Sequence, residues 1–257
     1  CAIALPAHAQ FGKIGKSLGK AAKSAGNAVA AVAGDAAMDM AANKVSTKVV
    51  EYMDKSNTVS AEDSEYTKRL NNLVAKNYAI VDGVAFNYKV YENPEINLLG
   101  TADGSIRVYS GMMDALTDDE LLAVISVQIG NIVNKDTRDA LMKVASEDNA
   151  SNASAAQLEK MLSFSGDKLG TVVNELLQVP YTEDQNKTAD TYAFDLLKKN
   201  NNKTEGLVSA LKKFADMEAV DKAAAESEDA NAEVSGASKY TTVNSGSSLR
   251  ASLISSK

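Results

Sequence analysis

The sequence of 257 residues contains no tryptophan, only one histidine and one cysteine, and few aromatic residues. Because Cys1 is the single cysteine, a disulfide within the chain is excluded. Because His8 is the single histidine, a zinc site built on two or more histidines is excluded as well. The formal net charge of −7 argues against a general nucleic-acid binder, which needs a basic surface.

The rest of the composition is ordinary for a soluble globular chain, with 45% apolar and 24% charged residues. Alanine is abundant, which favours helices. No stretch approaches the ~18 consecutive apolar residues that a membrane-spanning helix needs. At this length one or two domains with a sizeable core are expected.

The first residues, CAIALPAHAQ, allow two interpretations. Residues 1–9 are the tail of an export signal, because Ala7-His8-Ala9 resembles a signal-peptidase site. Alternatively, Cys1 is a lipidated N-terminus that anchors the protein to a membrane. Both interpretations predict an exported protein of the periplasm or cell envelope.

Residues 10–58 are predicted to form a helical leader. Within residues 10–45 the lysines share one helical face and small apolar residues share another. This pattern fits a helix that docks on a membrane surface or a partner, but also a weakly helical leader that packs loosely. The lysines in question are Lys13, Lys16, Lys20 and Lys23.

Further elements follow from periodicity and capping signals. Strands are predicted at 86–92 and 105–110, joined through an Ala102-Asp103-Gly104 turn, with a short edge strand at 97–100. From residue 226 onward the polar composition indicates loop or disorder with a weak final helix. Helices are predicted at 45–54, 61–76 (capped by Ser60), 118–134, 155–163, 168–178, 183–200 and 204–225.

The 118–134 helix, DDELLAVISVQIGNIVN, is strongly apolar and is expected to begin after the cap Thr117. Asp118, Asp119 and Glu120 complement the helix dipole in its first turn, and this role is favoured over a metal cluster. Helical spacing predicts that one face of this helix packs in the core, and its residues are Leu121, Leu122, Ile125, Ile129 and Ile132. Val127, Gln128 and Asn131 fall on the flank that faces a cleft.

This helix and its surroundings resemble a family of zinc metallopeptidases, the HtpX and CAAX-prenyl-protease family with its BepA-like periplasmic members. The preceding ENPEINLLGTADGSIRVYSGMMDALTDDEL resembles the family's strand, turn and strand, and YTEDQNKTAD resembles its YSREQEYEAD segment. A C-terminal signature, Ser-Ser-His-Pro-Asp followed by Arg, corresponds to TTVNSGSSLR. The matching scaffold residues are Asn97, Ala102, Gly104, Ser105, Val108, Gly111, Met113, Asp114, Ala189, Asp190 and Arg250.

The resemblance implies a mainly helical α+β fold of the zincin-like, gluzincin type, with a small antiparallel sheet, over residues 59–225, followed by a polar segment 226–257. It also implies a catalytic zinc, but the positions of the His-Glu-x-x-His motif and of the third ligand are occupied by other residues. A valine offers no lone pair and an amide is neither a good zinc ligand nor a general base. The altered positions are Val127, Gln128, Asn131 and Asn186.

We therefore expect no zinc, no other cofactor and no catalytic residue, and interpret the chain as a pseudoprotease that binds a peptide or an envelope protein. Such binding needs backbone pairing at an edge strand rather than a metal, although an edge covered by its own loop is the alternative. Asp190 is expected to hydrogen-bond Asn131 or Gln128, or else to be a solvated acid. The predicted cleft residues are Asn97, Leu98, Leu99, Gln128, Asn131 and Asp190.

Two other functions compete with this interpretation. A live protease with an atypical metal site would contain zinc and cleave protein substrates. A purely structural envelope protein would bind its partner or the membrane through the leader helix at 10–45 or a lipid on Cys1.

Overall fold

The structure is a computed structural model that describes residues 11–75, 77–146, 153–227 and 234–257, with side chains described from residue 33 onward. Residues 1–40 and 41–257 form two compact units. The predictions for residues 1–9, and for the lysine face of the leader, lie outside the described residues and side chains. What is described of the first unit is helical backbone from Phe11 onward.

Helix α1 spans Phe11–Ser56. Within the larger unit its last turns bury an apolar face that includes Val45, Val49 and Met53. Asp54 fixes this end of the helix to the neighbouring strands, since Arg107 Nε and Lys89 Nζ each donate to its carboxylate at 2.7 Å. Burial alone would raise the pKa of Asp54, but these cations and the Tyr91 hydroxyl outweigh burial and lower the pKa to about 2. Residues 41–56 therefore belong to the folded unit.

Helix α2 spans Glu65–Val74. Its cap is Ser64, whose side chain accepts a hydrogen bond from the Thr67 N–H at 3.0 Å. The prediction that Ser60 caps this helix is wrong, because the chain makes a turn at 61–64 first and the Ser60 hydroxyl instead bonds the Ser64 hydroxyl. A two-residue turn with Gly83 at positive φ then joins β1 (Ile80–Val81) to β2 (Val84–Ala85).

A three-stranded sheet consists of β3 (Asn87–Tyr91), β4 (Leu98–Gly100) and β5 (Ser105–Tyr109). The strand order is β3-β5-β4, which leaves β4 at an edge, as predicted. The sheet is mixed and not antiparallel throughout, because β3 pairs with β5 in parallel while β4 pairs with β5 antiparallel. The predicted turn between β4 and β5 is present, and Gly104 takes a φ of 86° there.

The remaining chain is helical, and the predicted fold class, mainly helical α+β, is confirmed. The helices predicted from periodicity are all found. The C-terminal segment contains two short helices with buried residues: the second is the final helix that was predicted, whereas the expectation of a loop is wrong for the first. The helices are α3 (Ser110–Ala115), α4 (Asp118–Val133), α5 (Asp136–Ala145), α6 (Ala155–Met161), α7 (Asp167–Leu176), α8 (Glu183–Lys199), α9 (Glu205–Glu226), α10 (Ser238–Val243) and α11 (Ser247–Ser255).

Helix α4 forms the centre of the core and is buried on all sides from Glu120 to Ile132. Helices α8 and α9 pack along it, and α11 packs on α9 and α8. Sequence periodicity predicted only one core face for α4, because it could not show that other helices cover the opposite side. Within the described part of the chain, no helix is both apolar and long enough to span a bilayer.

Candidate functional site

The first turn of α4 is fixed by a buried carboxylate. Glu120 completes a capping box with Thr117 and also accepts hydrogen bonds from Lys213 Nζ at 2.7 Å and the Ser209 hydroxyl at 2.5 Å. Burial alone would raise the pKa of Glu120, but these donors outweigh burial and lower the pKa to about 2. The first-turn acids thus have structural roles at this end of α4.

Gln128, two turns further on, lies against the edge strand. Its side chain covers Gly100 of β4 so closely that a Cβ on Gly100 would be 2.5 Å from Gln128 Nε2. Gln128 is 4% exposed, and its amide lies near the Tyr181 hydroxyl, where it opposes the rise that burial causes in the pKa of Tyr181, although Nε2 makes no hydrogen bond of good geometry. Gln128 and the edge strand β4 are therefore in direct contact, and the prediction that this contact borders a peptide-binding cleft stays a prediction.

The other two amide positions, Asn131 on α4 and Asn186 on α8, are equally buried. Asn131 is fully buried and neither its Oδ1 nor its Nδ2 has a partner, while Asn186 Oδ1 also lacks one. The helices that carry them are in close contact, since a Cβ on Gly130 would lie 3.0 Å from the Ala189 carbonyl oxygen. An unsatisfied buried polar group costs about 1–3 kcal/mol, so hydrogen bonds within the protein do not explain why these amides are buried.

Asp190, one turn after Asn186 on α8, has a different partner from either one predicted. Its two oxygens accept hydrogen bonds from Arg250 Nε at 2.8 Å and Nη2 at 2.7 Å. Both side chains are almost fully buried, and Arg250 Nη1 also donates to the Asn244 carbonyl at 2.6 Å. The predictions that Asp190 bonds Asn131 or Gln128, or is solvated, are therefore both wrong. The sequence comparison had identified Arg250 as retained but could not show that it reaches Asp190.

A small cavity of about 30 Å³ separates β4 from α4 and α5. It brings together the predicted cleft residues Asn97, Leu98, Leu99 and Gln128, whereas Asn131 and Asp190 do not line it. Sequence reasoning missed several of the other lining residues, because they come from elements far apart in the chain. These additional residues include Ser46, Thr137, Leu141, Tyr181, Val243 and Asn244.

The outer edge of β4 borders this cavity and is already partly occupied. Residues 98, 100 and 102 direct their backbone groups away from β5, because the residues between them pair with it. The Leu98 N–H donates to Asn97 Oδ1 at 2.8 Å, and the Ala102 N–H donates to Ser46 Oγ at 3.2 Å. A peptide that paired with this edge would therefore meet Gly100 as its main contact.

Asp136 opens α5 beside the cavity residue Thr137. Its carboxyl is buried and Oδ2 has no hydrogen-bond partner. Burial raises the pKa of Asp136 to about 6, and Asp139 adds to this effect, while the Gln185 side chain opposes it. This part of the site therefore holds a carboxyl group that ionises only near neutral pH.

The residues at the four positions that the sequence resemblance assigned to the metal site do not fit a catalytic zinc ion. Val127 supplies no ligand atom, and Gln128, Asn131 and Asn186 supply only neutral amides, whereas zinc is held by imidazole, thiolate or carboxylate groups. Asp190, the remaining carboxylate, is paired with Arg250. Among the residues that the structure describes, no group of three or more His, Cys, Asp and Glu side chains is placed to hold a metal ion.

Comparison of the chain with known proteins identifies its family. Residues 60–237 match the model of peptidase family M48, so the chain belongs to that family. It is similar to metalloprotease LoiP of Escherichia coli (strain K12), with 33% identity over 181 residues that cover 70% of this chain and 71% of LoiP. It is also similar to metalloprotease YcaL of the same organism, with 32% identity over 173 residues that cover 65% of each protein.

Proposed function

We propose that this member of peptidase family M48 is a pseudoprotease of the HtpX and BepA-like type that binds an extended peptide at its former active-site cleft. The observation that carries the proposal is the replacement of every ligand and base position by a neutral side chain within an otherwise intact fold. Without a cation, a buried glutamate or histidine pair at these positions would be an uncompensated charge or an unpaired polar group. Neutral residues at these positions avoid the uncompensated charge while the cleft itself is retained.

Peptide binding is supported by the cavity beside β4. The cavity touches the edge strand β4 and is lined by apolar side chains and by polar side chains with atoms that lack protein partners. Sites for peptides combine these two features, since pockets give specificity and the strand edge gives backbone hydrogen bonds. Because Ser46 and Asn97 already occupy part of the edge, we assign more of the binding to the cavity than to strand pairing.

The second candidate is an active metalloprotease, which the names of both relatives favour. Zinc content separates the two functions directly. We expect purified protein to retain no stoichiometric zinc after dialysis and to leave casein uncleaved. A variant with Val127→His, Gln128→Glu, Asn131→His and Asn186→Glu is expected to gain zinc binding. Stoichiometric zinc in the unaltered protein, with chelator-sensitive cleavage, would overturn the proposal.

Peptide binding is tested by fluorescence anisotropy with a library of labelled extended peptides. Gly100→Ala adds a methyl group where Gln128 now lies, and we expect it to weaken binding about tenfold. Gly34→Ala is the matched control, because Gly34 is exposed in α1 and a Cβ there would meet nothing within 4 Å. Equal affinity for both variants and the unaltered protein would contradict binding at the cleft.

A further inference from the structure

Four side chains that line the cavity each carry a buried polar atom without a hydrogen-bond partner. The atoms are Asn97 Nδ2, Gln128 Nε2, Thr137 Oγ1 and Asn244 Oδ1. Each of these residues is at most 5% exposed. Buried polar atoms are nearly always paired with protein, water or ligand. A cavity that gathers four such atoms is therefore prepared for a polar guest.

For two of these atoms, the hydrogen bond made by the other polar atom of the same amide shows whether the free atom is a donor or an acceptor. Asn97 Oδ1 accepts from the Leu98 N–H, so its Nδ2 is the donor that remains. Asn244 Nδ2 donates to the Tyr240 carbonyl at 3.1 Å, so its Oδ1 is the acceptor that remains. The cavity thus presents at least one donor and one acceptor, and the Thr137 hydroxyl can serve as either. A matching guest needs both an acceptor and a donor.

Charge narrows the class of guest further. Among the described residues that line the cavity, none is charged. A carboxylate guest would have only acceptors and would be buried without a cation near Asp136. An ammonium guest would have only donors, so the free donor of Asn97 would stay unpaired. Both are disfavoured relative to a neutral group that carries a carbonyl and an N–H.

The volume of the cavity also favours a small neutral amide. The volume of about 30 Å³ holds about two or three water molecules, which is the space of three non-hydrogen atoms. A carboxamide group consists of three non-hydrogen atoms (one carbon, one oxygen and one nitrogen), and it offers two donors and one acceptor. Its carbonyl can accept from Asn97 or Gln128 while its NH₂ donates to Asn244.

We propose that this cavity binds the uncharged carboxamide of an asparagine or glutamine side chain in a bound peptide. The proposal rests on the peptide-binding function given above, for which it names the preferred ligand. In the free protein, water molecules satisfy these atoms, and a carboxamide replaces the waters with both an acceptor and a donor of its own. An apolar or charged side chain of similar size displaces the same waters and leaves the four polar atoms without partners.

The first experiment uses small probes on the full chain. Acetamide, acetate and methylammonium are titrated separately while the side-chain amide NMR signals of Asn97, Gln128 and Asn244 are followed. We expect acetamide alone to shift these signals in a saturable way. Saturable shifts with acetate or methylammonium, or no shift with acetamide, would overturn the proposal.

The second experiment compares peptides that differ at one central position. A glutamine peptide is expected to bind about tenfold more tightly than its glutamate or methionine counterparts, since each lost hydrogen-bond pair leaves buried groups unsatisfied. Binding without this preference would overturn the carboxamide proposal and leave the peptide-binding function standing. Acetamide binding without any peptide binding would contradict the peptide-binding function and restrict the carboxamide site to free amides, which would also contradict the proposal.

Substitutions of cavity residues test whether the preference for glutamine peptides arises at this cavity. Gln128→Met removes the donor at nearly constant volume and should reduce the preference for glutamine over methionine by about fivefold. Thr137→Val is a milder, isosteric change that keeps the test valid if the first variant folds poorly, and it should reduce the preference by a smaller factor. Gln178→Met, an exposed glutamine on the C-terminal side of α7, is the matched control and should change nothing. A preference that survives both cavity variants would contradict the assignment.

Discussion

Helix α4 buries polar side chains in its first turn and again near its middle, and the two regions differ in how those groups are satisfied. In the first turn Glu120 is charged and accepts hydrogen bonds from Thr117, Ser209 and Lys213. Near the middle Gln128 and Asn131 are neutral and leave three amide atoms without partners. The two regions lie on the same helix and are equally buried.

This difference separates buried polar groups that stabilise the fold from buried polar groups that the fold alone does not explain. A fully paired buried carboxylate stabilises and orients the helix, whereas unpaired buried amides cost free energy and persist only where something else favours them. The Asp190–Arg250 pair belongs to the first kind, and it lies one turn from Asn186, which belongs to the second. Three of the unpaired side chains, those of Gln128, Asn131 and Asn186, stand at positions that the sequence resemblance assigned to the metal site.

The largest effect is expected from breaking the buried pair. Arg250→Met leaves the Asp190 carboxylate buried without a cation and should lower the free energy of unfolding by about 3–5 kcal/mol. Urea denaturation followed by circular dichroism measures this loss. The double variant Asp190→Leu with Arg250→Met should recover much of it, because no unpaired charge remains. A loss below about 1 kcal/mol in the single variant would show that the pair does not hold α8 and α11 together.

The paired first turn is tested next, through Glu120→Gln. We expect a loss of about 2 kcal/mol near neutral pH. Because the folded pKa of Glu120 is lowered to about 2, its contribution is full above the unfolded value of 4.5 and disappears as the pH falls toward about 2. Urea titrations across this range measure the effect. Asp119→Asn is the control, since the pair of Asp119 with Lys203 is exposed and its loss should change the stability little. A pH-independent loss would contradict the assigned cause.

The buried carboxyl beside the cavity should respond in the opposite direction. The folded pKa of Asp136 is raised to about 6, so its stabilising contribution is full below the unfolded value of 3.8 and is lost as the pH rises through about 6. Asp136→Asn should therefore stabilise the protein by roughly 1–2 kcal/mol at about pH 8 and have no effect at about pH 3. Thermal and urea unfolding at both pH values check this. Equal effects at both would argue against an ionisation of Asp136.

The smallest effect is expected at an unpaired amide. Asn131→Leu removes two unsatisfied atoms at similar volume and should be neutral or stabilising by up to about 1 kcal/mol. Asn57→Leu is the contrasting change, because Asn57 Nδ2 donates to the Met53 carbonyl at 2.8 Å, and it should destabilise by about 1 kcal/mol. Urea unfolding measures both. A large loss for Asn131→Leu would mean that this amide has partners, such as ordered water, that help to hold the cleft together.

Much of the fold was predictable because its signals are local. Thr117 and the acidic turn marked the start of α4, the Ala102-Asp103-Gly104 turn marked the β4–β5 connection, and apolar spacing marked the long helices. Predictions failed where a local signal was ambiguous or absent. Two serines four residues apart competed as the cap of α2, and α10 is a helix of only six residues within a polar segment.

The candidate site was predictable only in part. Gln128, Asn131 and Asn186 were identified by their positions in a motif, and the edge strand by its place before the helix. The partner of Asp190 was not, because Arg250 lies 60 residues further along the chain. Thr137 and Asn244 of the cavity were missed as binding residues for the same reason, since no spacing rule connects α4, α5 and the α10–α11 turn.

The sequence by itself determined which chemistry is available: the chain has one histidine, and it has a valine and amides at the positions that the resemblance assigned to the metal site, so no histidine-based zinc ligand set can form there. It also determined where helices begin, because capping and periodicity depend on near neighbours. Only the tertiary structure decided which polar groups are satisfied, since pairing depends on residues brought together from distant elements. That is why Asp190 has a partner and Asn131, one helix away, has none.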